Sequence, residues 1–170
     1  SEASTPEEVV ALLNEYLTKM TEIVFKYEGT LDKFIGDAVM AFWNEPIPQK
    51  DHAERGVFCA IEMMAELALL QDKWRAEKRP IIDIGIGLNT GDMIVGNMGS
   101  VDKMDYTVIG DNVNLGARLE SLNKEFKTHI IISESTYQLV KETVEVKSLG
   151  TTNVKGKTKP VEIYEVKGRK

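Results

Sequence analysis

The stretch Lys33-Phe34-Ile35-Gly36-Asp37-Ala38-Val39-Met40-Ala41 limits the fold more than any other part of the chain. Two apolar runs flank a Gly-Asp break, which is the pattern of a β-hairpin. Gly36 supplies the positive φ that such a turn needs. Strands apolar at nearly every position predict a hairpin buried on both faces, or nearly so. Its turn nevertheless carries a carboxylate, Asp37, and an ammonium, Lys33, stands four residues earlier. A carboxylate lifted out of a buried hairpin by two rigid strands suits a metal ion. Asp and Gly are also ordinary turn residues, so this stretch alone leaves both readings open.

The 170 residues suffice for one domain with its own core. The formal charge of −6 argues against non-specific nucleic-acid binding, which needs a basic surface. It leaves room for an anionic small ligand held by a few local cations. Cys59 is the single cysteine, so there is no internal disulfide and no zinc pattern, and a reducing compartment such as the cytoplasm fits. No apolar run is long enough to span a bilayer and no signal peptide opens the chain. The segment is expected to be soluble, without direct membrane insertion, and a larger membrane-bound parent is compatible with it.

Thr5-Pro6-Glu7-Glu8 opens a helix with an N-cap, a proline in the first turn and a capping-box glutamate. Apolar residues from Val9 to Tyr27 then recur at helical spacing, and Gly29 is expected to close the helix. After the hairpin of roughly residues 31–43, Asp51 is expected to cap a second long helix. Strands follow at Ile82–Leu88, Met93–Gly96 and Met104–Ile109. Gly85, Gly87, Gly91, Gly96 and Gly99 match neither phosphate-loop spacing and read as positions that allow close packing or a bent hairpin arm. Asp111 is expected to cap a third helix. In it Asn114 and Arg118 share a face at i, i+4, either as an anion-binding pair or as a plain solvated face. A strand at His129–Ile132, a helix from Ser133 to about Val140, and strands at Glu145–Leu149 and Val161–Val166 complete the order α-β-β-α-β-β-β-α-β-α-β-β. The lysine-rich turn Val154–Pro160 is an exposed loop unless it faces a cleft. The early part reads as a split βαβ pattern lacking its first strand.

Several blocks together resemble the catalytic domain of class III nucleotidyl cyclases. They are Leu31-Asp32-Lys33-Phe34-Ile35-Gly36-Asp37-Ala38-Val39-Met40-Ala41-Phe42, Gly85–Gly91, Val95–Gly99, Asp105–Glu120 and Val154–Lys157. They fall in family order and spacing across nearly the whole chain. The resemblance implies an α+β fold with a ferredoxin-like core, an added hairpin arm and C-terminal strands, working as a head-to-tail homodimer with ATP sites at the interface. It implies that Lys33 and Thr107 read the base and favour adenine, that Asn114 and Arg118 form the transition-state pair, and that Lys155 holds the triphosphate. Asp37 matches one of two metal-binding aspartates, and the complete site uses two Mg²⁺ or Mn²⁺ ions. The activity so implied is adenylyl cyclase, making cyclic AMP from ATP.

The family's first strand, with its own metal aspartate and a phosphate-cradling turn, has no counterpart in Ser1–Thr5. The sequence therefore reads as a single, N-terminally incomplete cyclase domain with an opened core. The competing function is a non-catalytic nucleotide-binding or dimerisation module. A cyclic-dinucleotide synthase has a similar hairpin, but its Gly-Gly-Asp/Glu-Glu-Phe turn is not present.

Overall fold

The computed structural model describes residues 5–154 and 158–170. Helix α1 spans Pro6–Lys26, and strands β1, Thr30–Ile35, and β2, Ala38–Phe42, form the hairpin. Helix α2 spans His52–Ala76 and is followed by β3, Ile86–Leu88, β4, Ile94–Ser100, and β5, Lys103–Ile109. Helix α3 is Asp111–Phe126, β6 is Ile130–Ser133 and α4 is Glu134–Val140, and the chain ends in β7, Val144–Thr152, and β8, Val161–Arg169. The element order is the one expected from the sequence, and the fold is α+β.

The strands divide into three sheets. The main sheet has the order β3-β6-β8-β7, with β3 and β6 parallel and the other pairs antiparallel. β1 pairs with β2, and β4 with β5, as separate two-stranded ribbons. Side chains of β6 alternate across the main sheet, as strand geometry requires. Ile130 and Ile132 pack toward Val57 and Ala60 of α2, while Ile131 packs with Leu115 and Leu119 of α3. The main sheet is thus sandwiched between α2 and α3. A third cluster joins α1 to α2 through Tyr16, Met20 and Val24 against Cys59, Leu67 and Trp74, and Val39, Ala41 and Trp43 of the hairpin segment pack on it.

Helix α2 belongs to both clusters and connects the hairpin to the main sheet. Between β2 and β3 lies a groove of about 440 Å³, walled by Val39, Ala41, Trp43, Cys59, Ile86 and Leu88 among others.

Local signals account for most element boundaries. Thr5 caps α1, its hydroxyl accepting from the Glu8 amide at 3.2 Å. Four local expectations need correction. The left-handed residue after α1 is Glu28, with φ 61°, not Gly29. Gly29 is required sterically instead, since a Cβ there would stand 2.7 Å from the Trp43 ring. Asp51 holds the N-cap position of α2, but its carboxylate makes no capping hydrogen bond and instead accepts from the Arg55 guanidinium at 2.7 Å. Gly110, not Asp111, occupies the N-cap of α3. The hairpin is not buried on both faces, for Phe34 and Ile35 at its tip are 44 and 62 % exposed.

Candidate functional site

The hairpin turn forms as its sequence requires, with Gly36 at φ 63°. Asp37 sits exposed at the tip. Its charge reaches back to two groups. Partial desolvation, and then the Asp37 carboxylate, hold Glu120 of α3 above the usual carboxylate range. Burial, and then Asp37 and Glu120, push the Tyr16 phenol up. Cys59, on the groove wall, is pushed up to about 12 by burial, which keeps it a thiol and not a nucleophile.

Lys33 and Thr107 lie far apart in sequence and meet around one carboxylate. β1 is irregular between Leu31, opposite Ala41, and Lys33, opposite Met40, so Asp32 has no partner of its own on β2. A bulge of this kind re-aims a side chain. The Asp32 side chain is fully buried, and its Oδ2 accepts from the Thr107 hydroxyl at 2.6 Å and from the Val108 amide at 3.4 Å. Its Oδ1 has no hydrogen-bond partner, but the Lys33 ammonium stands 3.7 Å away. Thr107 is buried, at 5 % exposure, whereas the Lys33 side chain is partly exposed. The Phe42 and Tyr106 rings, with centroids 6.0 Å apart, make a second contact between the hairpin and β5.

Helix α3 buries Leu115, Leu119 and Leu122 and leaves Asn114 and Arg118 on its exposed side, one turn apart. Among the described residues neither has a side-chain hydrogen bond or ion pair, and nothing links them to Lys33 or Asp37 within the chain. The helix is seated tightly on the main sheet. A Cβ on Gly87 would stand 2.3 Å from the Glu120 amide nitrogen and 2.5 Å from the Gly116 carbonyl oxygen. The Asn123 amide reaches the Ile86 carbonyl at 3.0 Å. At the start of α3 a polar network fixes the turn after β3. Asn89 Nδ2 donates to the Asn112 carbonyl at 2.9 Å, Ser133 Oγ donates to Asn89 Oδ1 at 2.6 Å, and Asn112 Nδ2 donates to the Asp92 carbonyl at 2.9 Å.

Lys155 lies outside the described residues. Asp32, Asn89 and Asn112 escape sequence reasoning. The first acts through a bulge and the other two through contacts between distant elements, and no local pattern marks either. The described side chains do not by themselves form a metal centre. Among them no three His, Cys, Asp or Glu side chains converge, and Asp37 stands alone at its turn.

The sequence matches the family described as the adenylate and guanylate cyclase catalytic domain over residues 1–168. Adenylate cyclase 1 of Rhizobium meliloti (strain 1021) is 38 % identical over 168 residues, which cover 99 % of this chain and 25 % of that protein. The chain therefore spans 25 % of that relative's length. The crystal structure of the adenylyl cyclase CyaB from P. aeruginosa is similar with a TM-score of 0.89 at 40 % identity, covering 97 % of this chain and 85 % of that one. The crystal structure of the guanylyl cyclase Cya2 is similar with a TM-score of 0.90 at 36 % identity, covering 99 % and 85 %. The backbone is thus as close to a structure with one base preference as to a structure with the other.

Proposed function

Because the chain belongs to the adenylate and guanylate cyclase catalytic domain family, we propose that it is the catalytic domain of an adenylyl cyclase, converting ATP to 3′,5′-cyclic AMP and pyrophosphate. The choice of adenine rests on the meeting of Lys33 and Thr107 at the Asp32 carboxylate. An ammonium is a donor only, and it suits the ring nitrogens of adenine, which are acceptors. A carboxylate at position 33 would suit guanine instead.

In the reaction the ribose 3′-oxygen attacks the α-phosphorus in line. The O3′–Pα bond forms, the bond from Pα to the bridging oxygen breaks, the 3′-hydroxyl proton passes to solvent water, and pyrophosphate leaves. Arg118 stabilises the charge that develops on the α-phosphate, and Asn114 on the same face orients the ribose. Lys155 holds the terminal phosphates. In this reading Asp37 supplies one carboxylate to the Mg²⁺ or Mn²⁺ ions that neutralise the triphosphate. Asp37 alone does not build their site. Lys33 and Thr107 form one group and Asn114 and Arg118 another, with Asp37 at a third point. The reading therefore makes the active unit a homodimer, with each site shared between two copies. A cytoplasmic location belongs to the same reading.

The isolated position of Asp37 favours a second reading, a module that binds nucleotide or dimerises without turnover. Incubating the full-length protein with ATP and Mg²⁺ or Mn²⁺, with chromatographic detection of cyclic AMP, separates the two. Cyclic AMP supports the cyclase, and ATP binding without product supports the module. Asp37→Ala is expected to abolish product, and Arg118→Ala to lower kcat about 10²–10³-fold. Turnover equal to that of the parent in either variant removes that residue from its role.

A further inference from the structure

The Asp32 carboxylate is the most unusual group in the molecule. It is fully buried, it sits on a bulge, and one of its oxygens has no hydrogen-bond partner. Burying a carboxylate is costly unless it is paired and hydrogen-bonded. In a regular strand Asp32 and Lys33 would point to opposite faces. The bulge instead lets Oδ1 lie 3.7 Å from the Lys33 ammonium while Oδ2 turns toward β5. One oxygen therefore serves Lys33 and the other serves Thr107.

The Oδ2 contact settles the polarity of the Thr107 hydroxyl. A backbone N–H can only donate, so the Val108 amide at 3.4 Å marks Oδ2 as an acceptor. The Thr107 hydroxyl has one proton, and at 2.6 Å it gives that proton to Oδ2. What remains for a ligand is the oxygen lone pairs. A free threonine hydroxyl would donate or accept with equal ease and would discriminate poorly between purines. Held by Asp32, it accepts only. Adenine presents an amino donor at its 6-position, whereas guanine presents an oxygen acceptor that would face the Thr107 lone pairs.

We propose that Asp32 is the positioning residue for base selection. By taking the Thr107 proton and holding the Lys33 ammonium, it makes the pair complementary to adenine and unfavourable to guanine. The inference rests on the cyclase reading above and adds to it a residue that does not touch the substrate.

The test compares kcat/KM for ATP, GTP and purine riboside triphosphate, which lacks the 6-amino group, in the full-length protein and its variants. The parent is expected to prefer ATP over the 6-unsubstituted nucleotide by about tenfold, since a hydroxyl oxygen left without its donor loses a hydrogen bond. Equal use of the two by the parent overturns the proposal without any substitution. Asp32→Ala is expected to reduce the ATP-over-GTP preference about tenfold, as is Thr107→Val, with no further loss in the double variant because both act through one hydroxyl. In Asp32→Asn the Val108 amide still requires an oxygen at the Oδ2 position. Thr107 therefore keeps its polarity, the preference holds, and KM rises for both nucleotides because Lys33 has lost its neighbouring charge.

Equal losses for ATP and GTP in Asp32→Ala, or additive effects in the double variant, overturn the proposal. If the parent turns over ATP and the preference is unchanged in the variants, this inference fails alone. If the parent turns over neither nucleotide, the cyclase reading fails and takes the inference with it.

Discussion

Lys33 is exposed along part of its length, lies on a strand whose register shifts beside it, and has one carboxylate for a neighbour. Under the proposed function its charge and donor character carry the base preference. Lys33→Glu reverses both and puts a second carboxylate next to the buried Asp32. Steady-state kinetics should then show kcat/KM for ATP falling by at least about tenfold, the size of one charge-assisted hydrogen bond, with GTP gaining relative to ATP. An unchanged ATP preference would remove Lys33 from base reading. Lys33, Thr107, Asn114 and Arg118 could be singled out as candidates in the sequence because each lies in a continuous block. Asp32 lies in one of those blocks and gave no sign of its role. Its meaning depends on a partner 75 positions away and on a bulge, and neither leaves a local pattern.

At the level of elements, periodicity made the order of helices and strands readable, since the alternation of Ile130, Ile131 and Ile132 and the stripe of α1 follow from strand and helix geometry. How the strands divide into sheets was not readable, because hydrogen-bond partners such as β3 and β6 are joined by no turn. The N-cap of α3 lies one residue before the expected Asp111, and Asp51 keeps the N-cap of α2 while its carboxylate turns to Arg55. Close packing was one of two readings of the glycines, and at Gly87 the close approach of β3 to α3 yields a sharp test. A methyl group on Gly87 would run into backbone atoms of α3, which cannot rotate away as a side chain would. Gly87→Ala should therefore cost about 2–3 kcal/mol of stability in chemical denaturation. A neutral result would mean that α3 does not approach β3 this closely. The contact between α1 and α2 has its own signature. Glu15 accepts from the Lys73 ammonium and from Trp74 Nε1, the latter at 3.0 Å, and the Lys73 bond first, then the Trp74 bond, hold its carboxyl below the ordinary value near 4.5. A depressed carboxyl stabilises the fold above its unfolded pKa and loses that contribution as pH falls through the folded one. Glu15→Gln keeps an acceptor and removes the charge. Its Tm should lie below the parent's by about 2–4 °C at pH 7, and the two melting curves should converge below pH ~4.5. A gap of equal size at pH 3 would show that the charge is not responsible.

At the scale of the whole molecule, one copy of the chain joins Lys33 and Thr107 through Asp32 and leaves apolar side chains of the β4–β5 ribbon uncovered. On β4 and β5 and their turn, Ile94, Val101, Met104 and Ile109 are 61, 98, 56 and 47 % exposed, the kind of surface that monomers seldom present to water. Asn114 and Arg118 occupy the open face of α3, and Asp37 stands at the far turn of the hairpin. If each active site is shared in a two-fold dimer, Asp37 of one copy works with Arg118 of the other. Complementation then follows from symmetry. Asp37→Ala and Arg118→Ala homodimers have two defective sites each and are expected to be inactive. In a mixed dimer both lesions fall in the same site, so the other site is assembled from two undamaged surfaces. Equal amounts of the two variants, unfolded and refolded together, give mixed dimers as about half of all dimers, each with one working site of two, so about a quarter of the parent's activity should return. Activity that rises with total protein concentration as dimers form would support the shared site. Two variants that stay inactive together, under conditions where light scattering shows mixed dimers, would place Asp37 and Arg118 in the same copy and remove the shared site.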